Sequence, residues 1–178
     1  ILINKAISLF NQGEIEKCLK ESLLAKKKYP NEPFIYNILG ILLAHKSAFD
    51  DSIKNYSRAI ELNPNYFEAY NNIGVAYTSW KKIDKAIQYF DKAIKINPLY
   101  AEAFNNKGNA LKEKGKYQSA ARFYEKALSI NPDYIDAMTN LGIIWDLMNN
   151  FSKAKSYFQK ALSINSNNTS VLYNLANS

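Results

Sequence analysis

The feature that most constrains this chain is a period. Proline recurs at Pro30, Pro64, Pro98 and Pro132, each 34 residues after the last. Glycine keeps the interval at Gly40, Gly74, Gly108 and Gly142. Alanine keeps it at Ala25, Ala59, Ala93, Ala127 and Ala161. A chain with three markers in phase builds one structural unit repeatedly, and each unit must bury its apolar faces against its neighbours. The unit is clearest over residues 67–100, FEAYNNIGVAYTSWKKIDKAIQYFDKAIKINPLY. Two helical patterns stand on either side of a break at Lys81-Lys82. Tyr70, Ile73, Gly74 and Tyr77 share one face of the first. Ile83, Ala86, Ile87, Phe90, Ala93 and Ile94 share one face of the second. Both sets step by three and four, the spacing of a buried helical stripe. Asn97-Pro98 closes the unit, because proline cannot continue a helix and pushes its predecessor out of helical geometry.

The pattern Tyr70-x-x-Ile73-Gly74-x-x-Tyr77, followed by Ala86, Phe90, Ala93 and Pro98, resembles the tetratricopeptide repeat (TPR). The resemblance covers nearly the whole chain. It implies an all-α fold, a right-handed superhelical solenoid of antiparallel helix pairs, with residues 1–178 forming a single array. Residues 1–32 are an N-terminally incomplete first repeat. Residues 33–66, 67–100, 101–134 and 135–168 are the second to fifth. Residues 169–178 are the first helix of a sixth repeat or a cap.

The copies differ in informative ways. In the first, Leu2, Ala6 and Leu9 stand at packing positions, Ala6 replaces the glycine, Gly13 opens the turn, and a second helix is expected from Ile15 to Lys28. In the second, Ser52 replaces a small alanine. In the third, Asn65 with Glu68 three residues on reads as a capped helix start. In the fourth, Lys107 replaces the Ile73-type residue, and its stem is expected to pack with the ammonium in water. In the fifth, Ser166 replaces proline. Leu172, Leu175 and Ala176 are the expected packing residues of the last helix. The recurring glycine has a physical reason: with no side chain there, two helices can approach closely.

Composition sets further bounds. No apolar run approaches the roughly 20 residues of a membrane span. Cys18 is the sole cysteine, so no intrachain disulfide forms; it takes the place of Ala86, Ala120 and Ala154 and reads as a small buried residue. The chain begins at Ile1 without a methionine and is expected to be part of a longer protein, residing in the cytoplasm. The net charge of +7 is spread over the repeats. Its densest cluster, Lys26-Lys27-Lys28, reads as a solvated face. A nucleic-acid footprint would interleave basic residues with exposed aromatics on one stripe. Here the aromatics stand mostly at packing positions, so nucleic acid is not the expected partner.

No catalytic constellation is present. His45 is the one histidine, so no paired-histidine metal site exists, and no cofactor is expected. Gly115-Lys116 lacks the upstream glycine of a phosphate loop. Asp50-Asp51 is placed in a solvated inter-helix turn.

The candidate site is the other face of the first helices, the second, fifth, ninth and twelfth residues of each repeat. It carries Asn37, Ile41 and Ala44; Glu68, Asn71, Val75 and Thr78; Glu102, Asn105, Asn109 and Lys112; Asp136, Thr139, Ile143 and Asp146. The sixth residue adds Asn72, Asn106 and Asn140. An amide both donates and accepts, so a row of them suits the backbone of an extended peptide; the same amides can instead bond neighbouring helices. The row is similar to the asparagine-lined TPR region of O-linked N-acetylglucosamine transferase. TPR domains that clamp a chaperone's C-terminal carboxylate use lysine or arginine on this face. Here the second residue is Phe34, Glu68, Glu102 or Asp136, so that clamp is not expected, although Lys112 and His45 can reach a ligand. The expected function is non-catalytic: a protein–protein interaction scaffold holding a peptide through Asn37, Asn71, Asn72, Asn105, Asn106, Asn109, Asn140 and Lys112. The alternatives are the substrate-selecting arm of a larger enzyme such as a glycosyltransferase, self-association through the array ends as a homo-oligomer and, most distantly, RNA binding.

Overall fold

The computed structural model describes residues 2–177, with side chains from residue 4. The described residues form eleven helices: α1 (Leu2–Asn11), α2 (Ile15–Lys28), α3 (Pro33–His45), α4 (Phe49–Leu62), α5 (Phe67–Ser79), α6 (Ile83–Ile96), α7 (Ala101–Glu113), α8 (Tyr117–Ile130), α9 (Ile135–Leu147), α10 (Phe151–Ile164) and α11 (Thr169–Asn177). The fold is the all-α helical-repeat solenoid class. The second helices α2, α4, α6, α8 and α10 start 34 residues apart, as do the first helices from α3 to α11. The chain divides into two compact units, Ile1–Ile96 and Asn97–Ser178. Within each, a first helix packs on its own second helix, and that second helix packs on the next first helix.

The hairpin turn is built identically five times. Gly13, Ser47, Lys81, Gly115 and Asn149 all have φ between 59° and 72°. The Lys81 N–H donates to the Thr78 carbonyl at 2.9 Å, and the Lys82 N–H to the Tyr77 carbonyl at 2.8 Å. These are the two bonds of a Schellman cap. Only two of the five left-handed residues are glycine, and this conformation costs an L-residue other than asparagine or aspartate about 1–2 kcal/mol. Ser47 is exposed, so Ser47→Gly is expected to raise stability by about 1 kcal/mol. The check is a urea midpoint that moves up with unchanged slope; a lower midpoint contradicts the reading.

The turn between repeats is also local chemistry. The side-chain oxygens of Asn63, Asn97, Asn131 and Asn165 accept from the backbone N–H two residues on, at 3.1–3.2 Å. Proline follows three of these asparagines and Ser166 the fourth, so the Asx turn, rather than the proline, is the common element. The expected cap at Asn65 is not formed. Tyr66 occupies the N-cap of α5 with no side-chain cap bond, because the Asn63 turn already fixes the entry.

The glycines mark ring contacts. A Cβ on Gly40, Gly74, Gly108 or Gly142 would lie 2.4–2.5 Å from a ring carbon of Tyr56, Phe90, Tyr124 or Phe158 respectively. Those rings are 0–2% exposed. In the first repeat Ala6 replaces glycine, and Ser22 replaces the ring; both are buried. Cys18 and Ser52 are small buried residues, as expected, with an added bond. Cys18 Sγ lies 3.2 Å from the Ala6 carbonyl, and the Ser52 hydroxyl donates to the Gly40 carbonyl at 2.8 Å.

Four further expectations change. In α11 Val171 is the buried residue, while Leu172 is 45% exposed and Ala176 is exposed. Elsewhere those two positions lean on the repeat's own second helix, and among the described residues α11 has no such partner. Lys107 does not simply reach water, since its Nζ stands 4.2 Å over the Phe123 ring. Asp50 and Asp51 lie in the first turn of α4 rather than in the inter-helix turn, where carboxylates suit the positive helix end. Lys26 is half-buried, its Nζ 5.1 Å over the Tyr36 ring, while Lys27 and Lys28 are exposed. Leu2 lies outside the residues whose side chains are described.

Candidate functional site

The asparagines of the first helices fall into two classes. Asn37, Asn71 and Asn105 are buried at 6%, 0% and 4% exposure. Asn72, Asn106, Asn109 and Asn140 are half-buried, as is Lys112. The two classes are joined. Asn72 Nδ2 donates to Asn37 Oδ1 at 3.0 Å, linking α5 to α3. One unit on, Asn140 Nδ2 donates to Asn105 Oδ1 at 3.1 Å, linking α9 to α7. The same bond at the same phase in both units gives the mid-helix asparagine a structural role that offsets its modest helix propensity. Each bond contributes about 1 kcal/mol net.

Tyrosines stand behind the amides. The Tyr66 hydroxyl is hydrogen-bonded to the Asn37 amide, and the Tyr134 hydroxyl to the Asn105 amide. Burial is the main cause that pushes both phenols up to about 12, with Glu68 adding to it at Tyr66 and Glu102 and Asp136 at Tyr134. The sequence reading missed this role. Its signal was available, since Tyr66, Tyr100 and Tyr134 recur at the 34-residue interval.

In the second unit these residues line an open cleft of about 610 Å³. Asn105, Asn106 and Asn109 come from α7, and Thr139, Asn140 and Ile143 from α9. Glu102 and Asp136 add carboxylates, and Tyr134 and Ser170 complete the wall. Asn109 Oδ1 accepts from the Tyr124 hydroxyl at 2.8 Å, which orients that amide. Lys112 Nζ donates to Asn140 Oδ1 at 3.3 Å. Burial pulls the Lys112 ammonium below the usual lysine range. In the first unit the corresponding face is more apolar: a cleft of about 280 Å³ is lined by Ile41, Ala44, His45, Tyr56, Asn72, Val75, Ala76 and Ser79. Of the expected residues, the structure therefore brings Asn105, Asn106, Asn109 and Asn140 together on one cleft and places Asn72 on another. Asn37 and Asn71 sit beneath the surface. Among the described residues no group of three histidine, cysteine or acidic side chains is placed to hold a metal, and no helix is long and apolar enough to cross a membrane.

Comparison with known proteins agrees with the helical-repeat fold. The tetratricopeptide repeat family model matches residues 67–100, 101–134 and 135–168, and a second TPR repeat model matches residues 40–79. No curated protein matches the sequence. Among solved structures, the chain is similar to MamA at 25% identity and a TM-score of 0.74, over 90% of this chain and 94% of that one. It is similar in fold to YrrB, described as a TPR protein with an unusual peptide-binding site, at 20% identity and 0.69, over 97% and 89%. It is also similar in fold to TTC0263 of Thermus thermophilus, at 18% identity and 0.85, over 99% and 96%.

Proposed function

Since this chain belongs to the tetratricopeptide repeat family, we propose that it is a non-catalytic protein-interaction scaffold that holds an extended segment of a partner protein on its amide-lined face. The observation that carries this reading is the cleft on α7 and α9, where Asn105, Asn106, Asn109 and Asn140 converge. An amide has two N–H donors and an oxygen with two lone pairs. One bond inside the protein therefore leaves capacity for a peptide's N–H and C=O groups. The bonds from Asn140 to Asn105 and from Tyr124 to Asn109 fix the amides in advance, which lowers the ordering cost of binding. Asn37 and Asn105 serve as the layer behind, holding Asn72 and Asn140 in place. Lys112 stands at the edge.

Magnitudes limit what the amides do alone. One bond from each of the three half-buried amides, Asn106, Asn109 and Asn140, at about 1 kcal/mol supplies about 3 kcal/mol, short of the roughly 4 kcal/mol of a dissociation constant near 1 mM. Tighter binding needs an anchor, and half-buried Ile143 offers the apolar contact within the cleft. Glu102 and Asp136 favour a segment carrying lysine or arginine and oppose a free carboxylate. YrrB supplies a precedent for a peptide-binding site on this fold. The test is selection of peptides on the chain, followed by calorimetry of the selected peptides with the parent and with Asn106→Ala/Asn140→Ala. The affinity is expected to fall about tenfold or more, from the loss of two bonds of about 1 kcal/mol each, with the helical signal retained. Equal affinities in a folded variant would remove the reading.

A further inference from the structure

The second repeat departs from the later repeats at one place that the amide face does not involve. In the third, fourth and fifth repeats the second helix carries a ring at the same phase: Tyr89, Phe123 and Tyr157. That ring closes on the first helix. Tyr70 and Tyr89 have centroids 6.5 Å apart, and Phe104 and Phe123 are stacked at 6.2 Å. In the second repeat the equivalent residue is Asn55. A second change accompanies it. The preceding second helix supplies an aliphatic residue at one further phase, Ile60, Ile94 or Leu128, but here it supplies Lys26.

The missing ring leaves a pocket of about 370 Å³, lined by Lys26, Tyr36, Lys54, Asn55 and Arg58. Its wall is organised around Tyr36, which is 6% exposed and whose hydroxyl donates to the Pro30 carbonyl at 2.8 Å. Lys26 stands over the Tyr36 ring. The Arg58 guanidinium donates both to the Tyr36 hydroxyl and to Glu61, the latter at 2.8 Å. Lys54 pairs with Asp51 at 2.9 Å, and Asn55 Nδ2 donates to the Asp51 carbonyl. Among the described residues Lys26 makes no ion pair. Three cations therefore border one pocket against two carboxylates, and both carboxylates sit in exposed pairs of the kind that contribute little.

The geometry points to an oxyanion site: the pocket of the second repeat takes a carboxylate or phosphoryl group carried by a side chain of a partner peptide. Arg58 offers a planar fork of donors that matches either group. Lys26 and Lys54 add point charges, and Asn55 adds an oriented amide. An aliphatic residue at position 26 with a ring at position 55 would make this a packing contact, as in the later repeats; the two changes together convert it to a polar cavity.

The test uses the whole chain and three probes: inorganic phosphate, a fluorescent glutamate-rich peptide, and the same peptide with one phosphoserine. Binding is read by anisotropy for the peptides and by amide chemical shifts for phosphate. The decisive variant is Asn55→Tyr, which introduces the ring of the later repeats and is expected to fold at least as well as the parent. Lys26→Ile is its partner. The parent is expected to bind at least one peptide, more weakly as salt rises; each variant is expected to lose about tenfold or more in affinity, while Asn140→Ala on the amide face changes nothing. Preference between the two peptides tells phosphoryl from carboxylate, and shifts with phosphate alone, confined to this pocket, also support the site. Failure of the parent to bind any probe, or an Asn55→Tyr variant that binds like the parent, overturns it. Loss with Asn140→Ala and not with Asn55→Tyr moves the binding to the amide face.

Discussion

Gly74→Val is expected to destabilise the protein by about 1–3 kcal/mol, the cost of overpacking a filled core. The cause is steric and local. A Cβ at position 74 would stand 2.5 Å from Phe90 Cε1, with two more ring carbons within 2.9 Å. Phe90 is 1% exposed and cannot swing aside into water. Either the ring leaves its well or α5 and α6 move apart, and both disrupt packing shared with the neighbouring helices. Gly74→Ala meets the same first contact and is expected to fall toward the lower end of that range. The partner change makes the cause specific. Phe90→Leu alone removes buried ring area, but with Gly74→Ala it makes room, so the double variant is expected to be more stable than the sum of the two single effects. Denaturant midpoints for the four proteins complete the cycle. Strict additivity, or a Gly74→Val protein that melts with the parent, would sink the account. The first repeat already contains the compensated form, with Ala6 opposite Ser22.

Raising the pH is expected to unfold the protein cooperatively in the tyrosine range. Burial pushes Tyr66 and Tyr134 up to about 12 and raises Tyr56 and Tyr124 as well. In the unfolded chain these phenols ionise near pH 10. Below that value both states keep the proton and the folded state holds its full advantage. As pH rises beyond it, the unfolded state sheds protons first, so stability falls continuously through the folded values near 12. Several groups act together, because Tyr56 and Tyr124 are the rings against Gly40 and Gly108, and Tyr66 and Tyr134 hold Asn37 and Asn105. Tyrosinate absorbance and helical ellipticity should therefore change in one steep step above pH about 10. Full tyrosine ionisation with the helices intact would show that these hydroxyls reach water in the native protein.

These two expectations differ in how far the sequence foretold them. The interval of Gly74 to Gly108 was visible at once, and so was the reason for a residue without a side chain. The ring it meets was also in view, since Phe90 lies on the apolar stripe of the second helix. The alkaline behaviour was not legible in the same way. Tyr66, Tyr100 and Tyr134 keep the period, but nothing in a period says whether a hydroxyl faces water or an amide.

What the sequence determined by itself is the set of elements and their phase. Helix bounds follow from apolar spacing and from turn chemistry, both carried by residues within a few positions of one another; α2 begins at Ile15 and ends at Lys28 as its pattern requires. The tertiary structure alone decided the choices between groups of equal capacity. An asparagine can serve a peptide or a neighbouring helix, and Asn72 gives one N–H to Asn37, 35 residues away. A lysine can be solvated or lie on a ring, and Lys26 lies on Tyr36 while Lys27 is exposed. A residue after a helix can be left-handed without being glycine, as Ser47, Lys81 and Asn149 are. Such choices turn on ångström-scale distances between helices distant in sequence, and no local pattern encodes them.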